Sequence, residues 1–277
     1  MRRGVAGAAV VVVAGVMALG GRVAWAGGEI STGALRQAIF PRADAASRDL
    51  GIRDEEGRPL YLASFEWARW RRGGPGTYVA LAVATTARGV GPGPGCSRPG
   101  GAVPGGVLVA VVRQELVKHK KKLKVVAHDS RQVTFGCDHG TSIDGLALDL
   151  GPFPLTEAEH GFAVHLRLTA PGERRHEEVV LYRLVGFDLR VALETDHALR
   201  DRQHEYQVGL APAKTKTKGF YDLVRRVTAR PLPAGALPAA ASTEAASAPA
   251  SQAASPRPPR AGATVFRWNG KAYVAGK

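Results

Sequence analysis

Between positions 118 and 124 the chain reads Lys-His-Lys-Lys-Lys-Leu-Lys, with ammonium groups at Lys118, Lys120, Lys121, Lys122 and Lys124. Cations spaced this closely can grip the phosphate or sulfate groups of an anionic polymer. The same run, set between two apolar segments, also suits a solvated hairpin tip, where lysines discourage edge-to-edge strand pairing. Two further basic groups carry the same double reading. Arg69, Arg71 and Arg72 sit beside Trp67 and Trp70, a mixture able to stack on rings. Lys214, Lys216 and Lys218 alternate with threonines. Over the whole chain 38 Lys and Arg stand against 24 Asp and Glu, a formal net charge of +14. That balance favours anionic surfaces such as phospholipid, lipopolysaccharide or acidic polysaccharide.

Other chemistries find less support. Eight histidines are scattered, and Cys137-Asp138-His139 is the densest donor cluster. No His-Glu-x-x-His, His-x-His or paired-cysteine spacing occurs, so no metal site is expected. Acyl transfer would need a nucleophile motif, and neither Gly-x-Ser-x-Gly nor Ser-x-x-Lys is present. The neighbouring carboxylates Glu157/Glu159, Glu177/Glu178 and Asp54/Glu55/Glu56 fall in predicted loops or loop edges and read as surface charge. No catalytic residue is predicted.

The first 26 residues set the expected compartment. Arg2-Arg3, an apolar run from Val5 to Leu19, and Ala24-Trp25-Ala26 have the form of a secretory signal peptide cleaved after Ala26. Loss of that leader removes three arginines and leaves 35 basic against 24 acidic residues, a net charge of +11. No further segment approaches a membrane span. In a periplasmic or extracellular setting Cys96 and Cys137 pair by default in one disulfide. Counted inclusively, the loop holds 42 residues, and its closure is worth roughly 3–4 kcal/mol.

The elements that must carry these groups are strands. Phe162, Val164, Leu166 and Leu168 share one face of their segment, against Ala163, His165 and Arg167. Phe187, Leu189, Val191 and Leu193 repeat the pattern against Asp188 and Arg190. A period of two predicts half-buried antiparallel strands. Similar segments at 60–67, 77–85, 106–114, 122–128, 132–137, 143–150, 178–184, 205–210 and 220–229 give about ten strands. The fold class expected is all-β, an antiparallel sandwich or barrel over residues 27–232. A short helix from Ser31 or Thr32 to Phe40 precedes it, ended by Pro41, and Arg42–Arg58 reads as irregular. Residues 233–263 are an Ala/Pro/Ser-rich linker with too little apolar surface to fold. The C-terminal 264–277 is a hairpin around Asn269-Gly270, a pair that suits a type I′ turn, expected to dock on the β domain.

Two resemblances bear on function. Phe266-Arg267-Trp268-Asn269-Gly270-Lys271-Ala272-Tyr273 is similar to the aromatic-Arg-Trp-Asn/Asp-Gly-Lys-x-Tyr element that closes many uncharacterised exported bacterial β-rich proteins. It implies export and a β fold, and no activity. The run 34–45, Ala-Leu-Arg-Gln-Ala-Ile-Phe-Pro-Arg-Ala-Asp-Ala, resembles the start of exported bacterial FMN-binding domains. That family attaches FMN through a Ser-Gly-Ala-Thr-type motif, which this chain lacks. The segment is therefore read as a helix closing one end of the sheet, and no cofactor is expected.

These readings converge on an exported, non-catalytic binding or structural protein of the bacterial cell envelope. Its expected partner is an anionic polymer or another exported protein, not nucleic acid. The alternatives are a periplasmic inhibitor or ligand-sequestering module, though the Ser-Gly-x-x-Tyr loop of lysozyme-blocking proteins is missing, and third a hydrolase with no identifiable site.

Overall fold

Within each of two antiparallel sheets every strand pairs with its chain neighbour, and the architecture follows from that. The computed structural model describes residues 30–44, 48–86, 103–118, 120–135, 142–170, 174–200, 203–232 and 262–276. Helix α1 (Thr32–Ile39) is followed by β1 (Asp49–Arg53), β2 (Pro59–Arg69), a 3-10 turn (Arg71–Gly73), β3 (Thr77–Thr85), β4 (Val103–Val117) and β5 (Lys120–Phe135). Then come β6 (Ser142–Pro154), β7 (His160–Ala170), β8 (Arg174–Val185), β9 (Asp188–Arg200), β10 (His204–Thr217), β11 (Phe220–Pro231), β12 (Gly262–Trp268) and β13 (Tyr273–Ala275). Strands β1 to β5 form one antiparallel sheet in chain order, and β6 to β13 form a second.

The second sheet turns a corner. Strands β9 and β10 share only the pair Arg200↔Glu205, whereas β10 pairs along its length with β11. The sheet therefore curls over, and the amide of Tyr221 donates to the carbonyl of Leu155 at 2.8 Å across the fold. Strands β6–β9 become a middle layer between β1–β5 on one side and β10–β13 on the other.

Each interface has its own core. In the first, Trp70, Val79, Leu81, Val107, Val109 and Val111 of the five-stranded sheet meet Phe162, Val164, Leu166, Val180 and Tyr182. In the second, Ala163, Val179, Leu181 and Leu193 meet Leu223, Phe266, Trp268 and Tyr273. The outer face of the five-stranded sheet is closed where Phe40, at the end of α1, packs with Leu50, Leu62, Ala82 and Ala84. This explains the unbroken apolar run of β3: Val79 and Leu81 point to one core, Ala82 and Ala84 to another.

The all-β antiparallel class and the N-terminal helix stand, and several finer expectations are corrected. The described residues hold eleven strands between 27 and 232, in line with the expected ten or so, and two more in the C-terminal hairpin. Leu50 draws part of the supposedly irregular 42–58 stretch into β1. Segments 122–128 and 132–137 are one strand, because β5 pairs with β4 from Lys120 to Phe135 with a single bulge. Strand β7 is not half-buried: Phe162 and Ala163 are both fully buried, since the third layer covers the second face. Leu193 does not share a face with Leu189 and Val191. A bulge at Ala192 lets Leu181 face Leu193 while Tyr182 faces Val191, and this flips the remainder of β9.

The Asn269-Gly270 pair does not form a two-residue type I′ turn. Trp268 pairs with Tyr273, which leaves a four-residue loop. Asn269 Oδ1 accepts from the amides of Lys271 (2.8 Å) and Ala272 (2.9 Å), so the side chain replaces the tighter turn. Strand β12 pairs with β11 from Gly262 to Phe266, starting two residues before the predicted hairpin. Residues 1–26, Cys96, Cys137 and residues 233–261 lie outside the described residues. Among the described residues no helix is long and apolar enough to cross a membrane.

Candidate functional site

The basic run occupies the β4–β5 hairpin tip. Val117 pairs with Lys120, Leu116 with Lys121, Glu115 with Lys122 and Arg113 with Lys124. Alternation along a strand sends Val117, Lys120, Lys122 and Lys124 to one face, and Leu116 and Lys121 to the other. Lys118 turns the corner at φ 49°. It and Lys120, Lys121 and Lys122 are exposed, and none forms an ion pair with a described residue. Lys124 lies 3.8 Å from Glu115, with both side chains well exposed, a pairing of little strength.

Beside the tip lies the β8–β9 turn. Val185 pairs with Asp188, leaving Gly186 (φ 63°) and Phe187 at the apex. Phe187 is 69 % exposed, and Lys124 Nζ stands 6.0 Å from its ring centroid. Between the two hairpins runs an open groove of about 510 Å³, walled by Val125–His128 of β5 and Phe187–Arg190.

A part-buried polar network ties the base of this corner together. Arg131 of β5 donates to Glu178 of β8 and, at 2.5 Å, to Glu194 of β9. The Tyr182 hydroxyl donates to Asp129 at 2.9 Å. Burial alone would lower the Arg131 pKa, but its bond to Glu178 and the charge of Glu194 raise it. Burial, then the bond to Asp129, pushes the Tyr182 phenol well above its usual value. These three contacts pin the edge strand β5 to the middle layer.

Of the other predicted basic groups, Trp67, Trp70, Lys216 and Lys218 are engaged within the fold, while Arg69, Arg72 and Lys214 are exposed. Trp70 is 2 % exposed and meets Phe162 edge-on at 5.1 Å. Trp67 Nε1 donates to Thr32 at 3.0 Å and packs edge-on against Tyr78 at 5.9 Å. The arginines at 69–72 therefore have no ring free for stacking. Lys216 bonds Glu157 at 2.6 Å and lies 4.6 Å from the Tyr221 ring, and Lys218 donates to the Asn269 carbonyl at 2.7 Å. That contact lowers the pKa of Glu157 and raises that of Lys216.

The paired carboxylates are structural too. Glu178 holds Arg131. Glu177 is buried, not surface charge: it accepts from Arg167 Nε at 3.2 Å and lies 3.4 Å from His165 Nδ1. His165 Nε2 is 4.0 Å from Asp149. Among the described residues no three His, Cys, Asp or Glu side chains could hold a metal ion. The cluster at Cys137–His139 lies outside them. The closing motif supplies apolar mass. Trp268 stacks on Phe220 at 4.2 Å, Arg183 lies about 5 Å from both rings, and a bidentate bond ties Arg183 to Glu159. The Tyr273 hydroxyl donates to the Tyr221 carbonyl at 2.9 Å.

The reading of the sequence missed the apolar members of this corner. Leu116 and Val117 were legible as apolar residues abutting the lysines, whereas Phe187 was hidden by its fit to the alternation of β9. Compared with known protein families, curated proteins and solved structures, the chain matches none.

Proposed function

We propose that this chain is an exported, non-catalytic binding protein of the bacterial cell envelope that holds anionic polymer at the β4–β5 tip. One observation carries the reading: Lys118, Lys120, Lys121 and Lys122 stand exposed together without ion pairs to described residues, whereas at 214–218 both Lys216 and Lys218 are bonded and only Lys214 has no described partner. Ammonium groups on flexible stems bind phosphate and sulfate as point charges, with little geometric selection and strong sensitivity to salt. Export rests on the leader-like first 26 residues, and a Cys96–Cys137 disulfide belongs to the same reading. Free-thiol labelling of denatured, non-reduced protein should yield no adduct.

Retention on immobilised heparin and lipopolysaccharide tests the binding. Wild-type protein should be held at low salt and released toward about 0.15 M, where the Debye length is near 8 Å. Lys120→Gln/Lys121→Gln/Lys122→Gln should be released earlier, and Lys214→Gln/Lys216→Gln/Lys218→Gln should not. No retention at low salt, or equal behaviour of the two triple variants, would refute the assignment.

A further inference from the structure

Five large hydrophobic side chains are exposed among the described residues: Leu116 (71 %) and Val117 (37 %) belong to the lysine tip, and Phe187 (69 %) lies beside Lys124 at the end of the lysine run. The other two, Ile52 and Val274, sit on the edge strands β1 and β13. A soluble polyanion explains the lysines and leaves these three unexplained, because hydrated sugars and sulfates offer apolar side chains no shelter from water. We propose that the β4–β5 tip and the β8–β9 turn together dock on an anionic lipid bilayer. The proposal rests on the anion-binding reading above and names the ligand class.

The geometry suits an interface with two depths. Consecutive residues of a strand face opposite ways, so Leu116 and Val117 give the tip one apolar side chain on each face, with Lys121 and Lys120 directly across. Phe187 adds an aromatic ring from the second hairpin, joined to the first through Lys124 at 6.0 Å. Apolar groups on an interfacial element enter roughly 5–10 Å, to the boundary between headgroups and acyl chains. Lysine stems can lie along that boundary while their ammonium groups remain at phosphate level. The tip is firm enough to act as a wedge: β4 and β5 are paired up to Val117↔Lys120, and Arg131 and Asp129 anchor β5 below it. Each property alone would be commonplace. Their coincidence at one corner is what a charged lipid surface would select.

Vesicle sedimentation tests this with the full chain. Wild-type protein should partition onto phosphatidylcholine vesicles containing about one third phosphatidylglycerol and ignore pure phosphatidylcholine. Leu116→Ser/Phe187→Ser should lower that partition about tenfold while leaving elution from heparin unchanged. Lys120→Gln/Lys121→Gln/Lys122→Gln should weaken both. As a second readout, Phe187→Trp should show added fluorescence quenching by bromine-labelled acyl chains. Vesicle binding indifferent to Leu116 and Phe187, with no quenching at position 187, would overturn the lipid assignment while the anion reading stood. Equal binding to neutral vesicles would overturn it as well. Failure on both heparin and anionic vesicles would remove both readings.

Discussion

Two hairpins of this molecule carry lysines at nearly the same density, and they use them differently. At the β10–β11 hairpin, Lys216 is tied to Glu157 and Tyr221, and Lys218 caps the carbonyl of Asn269. At the β4–β5 hairpin, Lys120, Lys121 and Lys122 reach into solvent with Leu116 and Val117, and Phe187 lies exposed beside Lys124. The first is a seam between layers, and the second projects past the layer that would cover it. Charge density is thus no measure of availability. What separates a binding surface from a structural one is whether the fold has already supplied the counter-groups.

Breaking the seam should have the largest effect. Trp268→Ala removes the ring stacked on Phe220 and packed beside Arg183, and loosens the loop that Lys218 caps. A loss of about 3–5 kcal/mol in chemical denaturation is expected, with heparin retention of the folded fraction unchanged. A loss under about 1 kcal/mol would mean that the β10–β13 layer is not held as described.

Alkaline unfolding sharpens the contrast next. Tyr182 supports the β5 side and Tyr273 the seam. Burial, followed by the nearby carboxylates Asp129 and Asp222 respectively, holds both phenols above the ordinary value of 10.0. The folded state keeps these protons more tightly than the unfolded state. Their contribution is therefore complete below pH 10 and declines as the pH climbs through 10 toward the folded values. The slope should approach about 1.4 kcal/mol per pH unit for each phenol. Tyr182→Phe and Tyr273→Phe should each flatten it, measured as denaturation midpoint against pH between about 9.5 and 11.5.

A smaller test compares the two turn lysines, both at positive φ: Lys118 at 49° and Lys218 at 52°. Glycine relieves the left-handed strain, so Lys118→Gly should gain up to about 1 kcal/mol in thermal or chemical unfolding. Lys218→Gly gains the same relief and forfeits the bond to Asn269, so its net change should be near zero or negative. Equal gains would erase the structural distinction between the tips. The smallest stability effect belongs to Lys120→Gln/Lys121→Gln/Lys122→Gln, within about 0.5 kcal/mol of wild type. A larger loss would show that these lysines serve the fold.

The strands and the basic tip were legible in the sequence because their signals are local. Period-two alternation marks a strand wherever one face is buried, and the lysines interrupt it visibly. The layering was not legible. Whether Ala163 and Val179 face water or a second core depends on β10–β13 folding back from Arg200 and Glu205, a choice no local pattern records. The bulge at Ala192 likewise leaves no mark, since Leu193 fits the alternation on paper and points the other way in the fold. Phe187 misleads for a similar reason. It continues the apolar series of β9 by spacing, yet it sits in a two-residue turn beyond the strand.

The curled second sheet also sets a timetable for folding. Within each sheet a strand can zip onto the one made just before it. The second core is the exception, because Phe266, Trp268 and Tyr273 come from the last two strands. Until those strands emerge, Leu181, Leu193 and Leu223 form an apolar face open to any passing chain. The final hairpin therefore works as a lid fitted last, and the interval before it seats is when the nascent protein is most in need of protection from its neighbours.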